Sequence, residues 1–106
     1  MDETEFFKDC VKKQRFPKND REKQIILKFI MNKFDENKKY FEQEVNETIK
    51  KFYEDYSTIR REFINFGYMQ RDPYKGEYWV LKKELSDEEL DKIGKLQKHF
   101  EKHNVY

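Results

Sequence analysis

Apolar residues recur every three or four positions along most of this chain, change to alternation over one short stretch, and then return to helical spacing. The first helical set, Phe6, Phe7, Cys10 and Val11, predicts a short helix with Thr4 as its cap. It should stop before Pro17, because the residue ahead of a proline is pushed out of the α region. A second helix is expected from a cap at Asn19 or Asp20 to about Phe34, with Lys23, Ile26, Leu27, Ile30 and Phe34 on one side and Asp35-Glu36-Asn37 as the turn after it. Phe41, Val45, Ile49 and Phe52 make one stripe and predict a third helix from about Glu42 to Tyr53.

Asp55 is suited to cap a fourth helix and Gly67 to terminate it. Within it Tyr56, Ile59, Phe63 and Phe66 point inward, Ser57, Thr58, Arg61 and Asn65 point outward, and Arg60 lies on the flank. Ile64 also falls on the outer side, which a plain solvated face does not explain. The switch to alternation follows at once: Tyr68–Arg71 and Glu77–Leu81 flank Asp72-Pro73-Tyr74-Lys75-Gly76, a β-hairpin signal. Ser86 with Glu89 is a capping box for a last helix, about 86–103, carrying Leu90, Ile93, Leu96 and Phe100. A helix pair followed directly by a hairpin predicts a winged helix-turn-helix: an α+β domain, mostly α, with a helical core, a β-hairpin wing and extra N- and C-terminal helices. One domain should span residues 1–106.

Charge makes up 42% of the chain, which alone would suggest disorder, but aromatics reach 17%, with ten Phe and seven Tyr. Each buried ring removes on the order of 150–250 Å² from water, so a few rings replace many aliphatics. A folded domain is expected. The 23 basic and 22 acidic residues leave a net charge of +1, so any nucleic-acid binding must come from a local basic face. Cys10 is the only cysteine, which excludes an intrachain disulfide and suits a small core residue in a reducing compartment. Without a long apolar run or a signal-like N-terminus, the expected location is cytoplasmic, with no membrane partner.

The constellation with most chemical content is the fourth helix and the hairpin. In a helix-turn-helix the second helix enters the major groove. Arg61 is then placed to donate twice to guanine O6 and N7, while Ser57, Thr58 and Asn65 suit phosphates or adenine. Arg71 and Lys75 in the hairpin, and Lys18 and Arg21 in the basic run from Lys12 to Lys23, could meet phosphates. The competing reading is a solvated helix face with Arg60 paired to Glu54 or Glu62. His99 and His103 stand one turn apart, a spacing that can share a metal, but neither a zinc-protease glutamate nor a nearby Cys supports it. Phosphate-binding glycine loops and a Gly-x-Ser-x-Gly elbow are absent, and no acid sits in an apolar stripe. The expectation is therefore no enzyme, no cofactor, no metal and no small-molecule ligand. Double-stranded DNA is the expected partner, with a homodimer through the C-terminal helix or a protein-interaction module as the alternative.

Several of these residues also stand in a familiar order. Phe16-Pro17-Lys18, Arg21, Ile26-Leu27, Phe34, Tyr40, Glu44-Val45-Asn46, Asp55, Ile59-Arg60-Arg61, Gly67-Tyr68-Met69, Arg71 and Tyr78-Trp79 resemble the bacterial family known as domain of unknown function 2087. The family-like core runs from about 15 to 81. The resemblance implies a winged-helix-like fold and association with ArsR-type transcription regulators, and implies no particular biochemical activity. One departure is Phe41, where the family usually has a threonine: a Phe cannot accept a capping hydrogen bond, so the third helix is expected to start differently or to be capped by water. The Arg60-Arg61 pair could together form the DNA-binding face, or Arg60 could instead clamp Glu44 or Asp55; Asn46, a poor helix former, could bond a neighbouring loop.

Overall fold

The computed structural model describes residues 1–93. Leu96, His99, Phe100 and His103, and the end of the expected last helix, lie outside the described residues. The order is α1 (Glu3–Lys12), α2 (Asp20–Met31), β1 (Lys39–Phe41), α3 (Glu42–Lys50), α4 (Tyr56–Asn65), β2 (Met69–Asp72) and β3 (Glu77–Val80). A helix α5 follows, described over 87–93. The architecture is α+β and mostly helical, with five helices and one small antiparallel sheet of order β1-β3-β2.

Local sequence chemistry sets most of these boundaries. Asn19 caps α2, its side-chain oxygen accepting from the N–H groups of Arg21 and Glu22 at 2.9 and 3.1 Å. Gly67, at φ +80°, ends α4: its N–H donates to the Ile64 carbonyl and that of Tyr68 to the Phe63 carbonyl. The chain thus leaves the helix directly into β2. Ser86 and Glu89 form the expected capping box, each backbone N–H donating to the other's side chain at 3.1 and 3.2 Å.

Other boundaries differ from expectation. Asp2, not Thr4, caps α1, its carboxylate accepting from the Glu5 N–H at 2.8 Å. An aspartate two positions earlier is at least as good a cap, so the helix begins sooner. The α1 helix closes at Lys12, and Gln14 takes φ 52°. Its amide donates to the carbonyls of Val11 and Phe52 and accepts from the Glu54 N–H, which fastens the end of α1 to the segment after α3. The α2 helix ends at Met31 and α3 at Lys50, each followed by single tight turns that still bury Phe34 and Tyr53. Residues assigned to the helices' last turns therefore reach the core from loops. The hairpin strands each sit about one residue from their expected limits, leaving Leu81 exposed beyond β3.

The strand β1 was not expected. Three residues are too few for a visible alternation, yet Tyr40 is buried between exposed Lys39 and Phe41, and Tyr40 pairs with Tyr78 across the sheet. The strand runs straight into α3, whose cap residue is Phe41. As anticipated, the Phe side chain makes no capping bond; the Glu44 carboxylate accepts from the Phe41 N–H at 2.9 Å instead. That is half of a capping box.

Aromatic edges knit the core. Phe34 meets Tyr40 and Phe63 edge-on, with ring centroids 5.2 and 6.0 Å apart, and Phe63 meets Tyr68 at 6.3 Å. Pairs of this kind add about 0.5–1.5 kcal/mol beyond the area they bury. The polar ends of these rings are satisfied: the Tyr40 hydroxyl accepts from the Asp35 N–H, and the Tyr68 hydroxyl donates to buried Gln24, both at 2.7 Å. Cys10 is buried in the same core, as a small apolar residue would be. Among the described residues no helix is long and apolar enough to cross a membrane.

Phe34 touches the sheet and α4 at once, so Phe34→Ala is expected to cost about 3–5 kcal/mol in denaturant unfolding. A loss below about 1 kcal/mol would show that the ring is not central to the core.

Candidate functional site

The helix α4 is anchored at its start by Asp55, whose carboxylate accepts from the Thr58 hydroxyl at 2.7 Å, the Thr58 N–H at 3.4 Å and the Ser57 hydroxyl at 3.3 Å. The Thr58 hydroxyl is the first cause holding the Asp55 carboxyl below its ordinary pKa. Ile59 and Phe63 are buried against the core. With 100° between successive residues, the side chains of Arg60 and Arg61 leave the helix in different directions, although both border the same groove.

Arg60 turns towards α3 and the sheet. One of its terminal nitrogens donates to the Asn46 side-chain oxygen, and its Nε lies 3.8 Å from a Glu42 carboxylate oxygen. That same oxygen accepts from the Tyr78 hydroxyl at 2.7 Å. The Arg60 side chain is only 18% exposed. Its partners are Glu42 and Asn46, in place of the Glu54, Glu62, Glu44 or Asp55 considered from sequence; Glu62 pairs with Lys23 at 2.9 Å. Asn46 thus bonds a neighbouring helix, not a loop. The Tyr78 hydroxyl holds the Glu42 carboxyl below its ordinary pKa, helped by Arg60 and Arg71, while burial and then Glu42 push the Tyr78 phenol up.

Arg61 points the other way and is exposed. Its one bond is a long 3.4 Å contact from Nε to the Ser57 carbonyl. Between it and the hairpin lies a groove of about 470 Å³, lined by α4 through Arg60, Arg61, Ile64 and Asn65 and by the sheet through Arg71 and Tyr78, with Glu42 at its side. The Arg71 guanidinium lies 5.9 Å from the Tyr78 ring centre, a cation–π distance. Among the described residues, Arg60 is the only one of the three arginines in an ion pair. Asn65 is exposed, its amide 3.2 Å from the Glu62 carboxylate.

At the hairpin tip the Asp72 carboxylate accepts from the N–H groups of Tyr74 and Lys75 at 2.9 and 3.2 Å, and these two bonds hold its pKa down. Gly76 completes the turn at φ +67°. Tyr74 and Lys75 both stand free in solvent. Lys18 and Arg21 are exposed but outside the groove. Lys18 borders a separate depression beside Phe16 and Asn19, and Arg21 donates to the Leu90 carbonyl on α5 at 3.1 Å. Arg60, Arg61, Asn65 and Arg71 are therefore brought together, Ser57, Thr58 and Lys75 lie on the same helix and hairpin, and Lys18 and Arg21 sit elsewhere.

From sequence Glu42 was named only as a helix start and Tyr78 only as a strand residue and family landmark, neither as a partner of Arg60. The signal was present, since Tyr78 alternates with Val80 and Glu42 opens a helix, but nothing local says that both meet Arg60. A second depression of about 290 Å³, between α2, Tyr68 and α5, is less suited to a ligand, because its buried polar pair, Gln24 and Tyr68, is already mutually bonded. Among the described residues no three His, Cys, Asp or Glu side chains cluster as metal ligands.

A family model described as "Uncharacterized protein conserved in bacteria (DUF2087)" matches residues 13–80, from the end of α1 to the end of β3. No curated protein and no solved structure matches the chain.

Two outcomes test the network around Arg60. Asn46→Ala removes an acceptor from a half-buried guanidinium and is expected to cost about 1.5–3 kcal/mol in denaturant unfolding; an unchanged midpoint would show that solvent serves Arg60 equally well. Glu42 has a depressed pKa when folded, so its ionised form adds stability above the ordinary carboxylate range, and this is lost as pH falls through the folded value. The stability gap between the parent chain and Glu42→Gln should be full near neutral pH and close as the pH falls below the ordinary carboxylate range. A gap that widens on acidification would contradict the assignment.

Proposed function

The chain belongs to this bacterial family, and from that premise we propose that it is a DNA-binding transcription regulator with a winged-helix fold. The observation that carries the reading is the pairing of Arg61 and Arg71 on the two sides of one groove, with no ion pair to either among the described residues. Exposed guanidiniums so placed suit a polyanion whose edge also offers paired acceptors. The order of α2, β1, α3, α4, β2 and β3, with β1 joining the hairpin to complete the sheet, accords with a winged helix in which α4 is the recognition helix and β2–β3 the wing.

In this reading α4 enters the major groove. Arg61 donates to guanine O6 and N7, and Asn65 reaches an adenine edge or a phosphate. Arg71, and Lys75 at the wing tip, meet the backbone, and Ser57 and Thr58 at the helix start do so by exchanging their hydroxyl bonds to Asp55 for bonds to phosphate. Lys18 and Arg21, outside the groove, extend the phosphate contacts along the duplex. Arg60 acts as a positioning residue through Asn46 and Glu42. A net charge of +1 means that this local face, not the overall field, supplies the attraction. A cytoplasmic location suits both the ligand and the single buried thiol.

A second reading, a protein-interaction module, is favoured by one observation. The outer sheet face carries Phe41, 64% exposed, with Leu81 beyond β3, 53% exposed. For a homodimer through the last helix, the described part offers less, since Leu90 and Ile93 pack against the chain's own core.

Fluorescence anisotropy with mixed genomic duplex at low salt separates the two. Binding should weaken steeply with salt; Arg71→Ala should reduce the salt slope by about one, and Arg61→Ala should cost about 1–3 kcal/mol on a preferred sequence and less on others. No binding at low salt, with a stable protein partner recovered after nuclease treatment, would favour the second reading.

A further inference from the structure

Ile64 is the residue of α4 that neither the core nor a solvated face accounts for. It is 40% exposed, while Ile59 and Phe63 on the same helix are 1% and 0% exposed. It lines the groove beside Arg61, Asn65 and Arg71, so an apolar surface stands among cations and an amide. Being β-branched, it holds essentially one rotamer in a helix, and its methyl groups occupy a fixed place with little entropy left to lose on contact. A ligand that fits must present an apolar point beside anionic or acceptor groups. The major-groove edge of DNA has one such point, the thymine C5-methyl, next to the phosphates and the acceptors of guanine.

Resting on the DNA-binding reading above, the geometry points to Ile64 as a specificity-determining residue that selects thymine through its C5-methyl. Arg61 and Ile64 are three residues apart on α4, which puts their Cβ atoms roughly 5–6 Å from each other on one face. With about 3.4 Å between base steps, the thymine lies within about two base pairs of the guanine that Arg61 reads. Asn65, next to Ile64, is bonded to Glu62 and lines the same groove.

The test uses the full chain and duplexes enriched from a randomised pool. The enriched duplex is resynthesised with deoxyuridine at one thymine at a time, which removes only the C5-methyl. One or two positions are expected at which the parent chain binds the uracil duplex about threefold to fourfold more weakly, the effect of losing roughly one methyl from contact. Ile64→Ala should bind thymine and uracil duplexes equally at those positions, and Ile64→Val should keep most of the difference. Because Ile64 lies outside the core and alanine is a better helix former, the variant should unfold at the parental denaturant midpoint. Uracil tolerated at every position, or the same uracil sensitivity in Ile64→Ala, overturns the inference and leaves DNA binding standing. If no sequence is enriched and no duplex binds at low salt, the DNA reading fails, and with it this one. A change in the sedimentation of free Ile64→Ala, with DNA affinity intact, assigns Ile64 to a protein contact and overturns the inference.

Discussion

The half-buried guanidinium of Arg60 is the constraint to which α3, α4 and the sheet answer together. An arginine withdrawn from water must be met by acceptors, and leaving one unmet costs more than a single bond contributes. Asn46 and Glu42 meet it from α3, and the Tyr78 hydroxyl fixes Glu42 from β3. Any rotation of α4 would break these contacts. The rotation that satisfies Arg60 also leaves Arg61 exposed in the groove that both border, because consecutive helical residues diverge by 100°. One arginine is tied so that the next is free.

The rest of the architecture makes that arrangement rigid. Phe34, Phe63, Tyr40 and Tyr68 lock α4 and the sheet edge-to-face, and the two tyrosine hydroxyls are satisfied within the domain. Gly67 turns the chain from α4 into β2 within a tight turn, Phe66 to Tyr68, so Arg71 comes back beside the helix that carries Arg61. The groove is thus a consequence of one left-handed residue and one aromatic cluster. In the proposed function, rigidity of this kind lets a small, nearly neutral chain present a local positive face.

Periodic features were legible in the sequence. The stripes of α2, α3 and α4, the Gly67 terminus, the hairpin and the Ser86–Glu89 box all follow from nearest-neighbour chemistry. What sequence did not reveal depends on distant partners. The strand β1 exists because Tyr40 pairs with Tyr78, and α2 and α3 stop early because Phe34 and Tyr53 are buried by tertiary packing, which overrides helical spacing. Ile64 was visible as an anomaly, and its place in the groove gives that anomaly a location. A clamping role for Arg60 was legible, but its partners were not: Glu42 and Asn46 lie 18 and 14 positions away, and no local pattern ties them to it.

The division of labour between Arg60 and Arg61 is tested most directly by exchange with water of the terminal guanidinium Nη–H protons, the ones Arg60 commits to Asn46, followed by NMR in the free protein and with saturating duplex DNA. Arg60 should exchange slowly in both states, while Arg61 and Arg71 exchange fast alone and gain protection with DNA. Arg60 exchanging as fast as Arg61 in the free protein, or Arg61 indifferent to DNA, would contradict it.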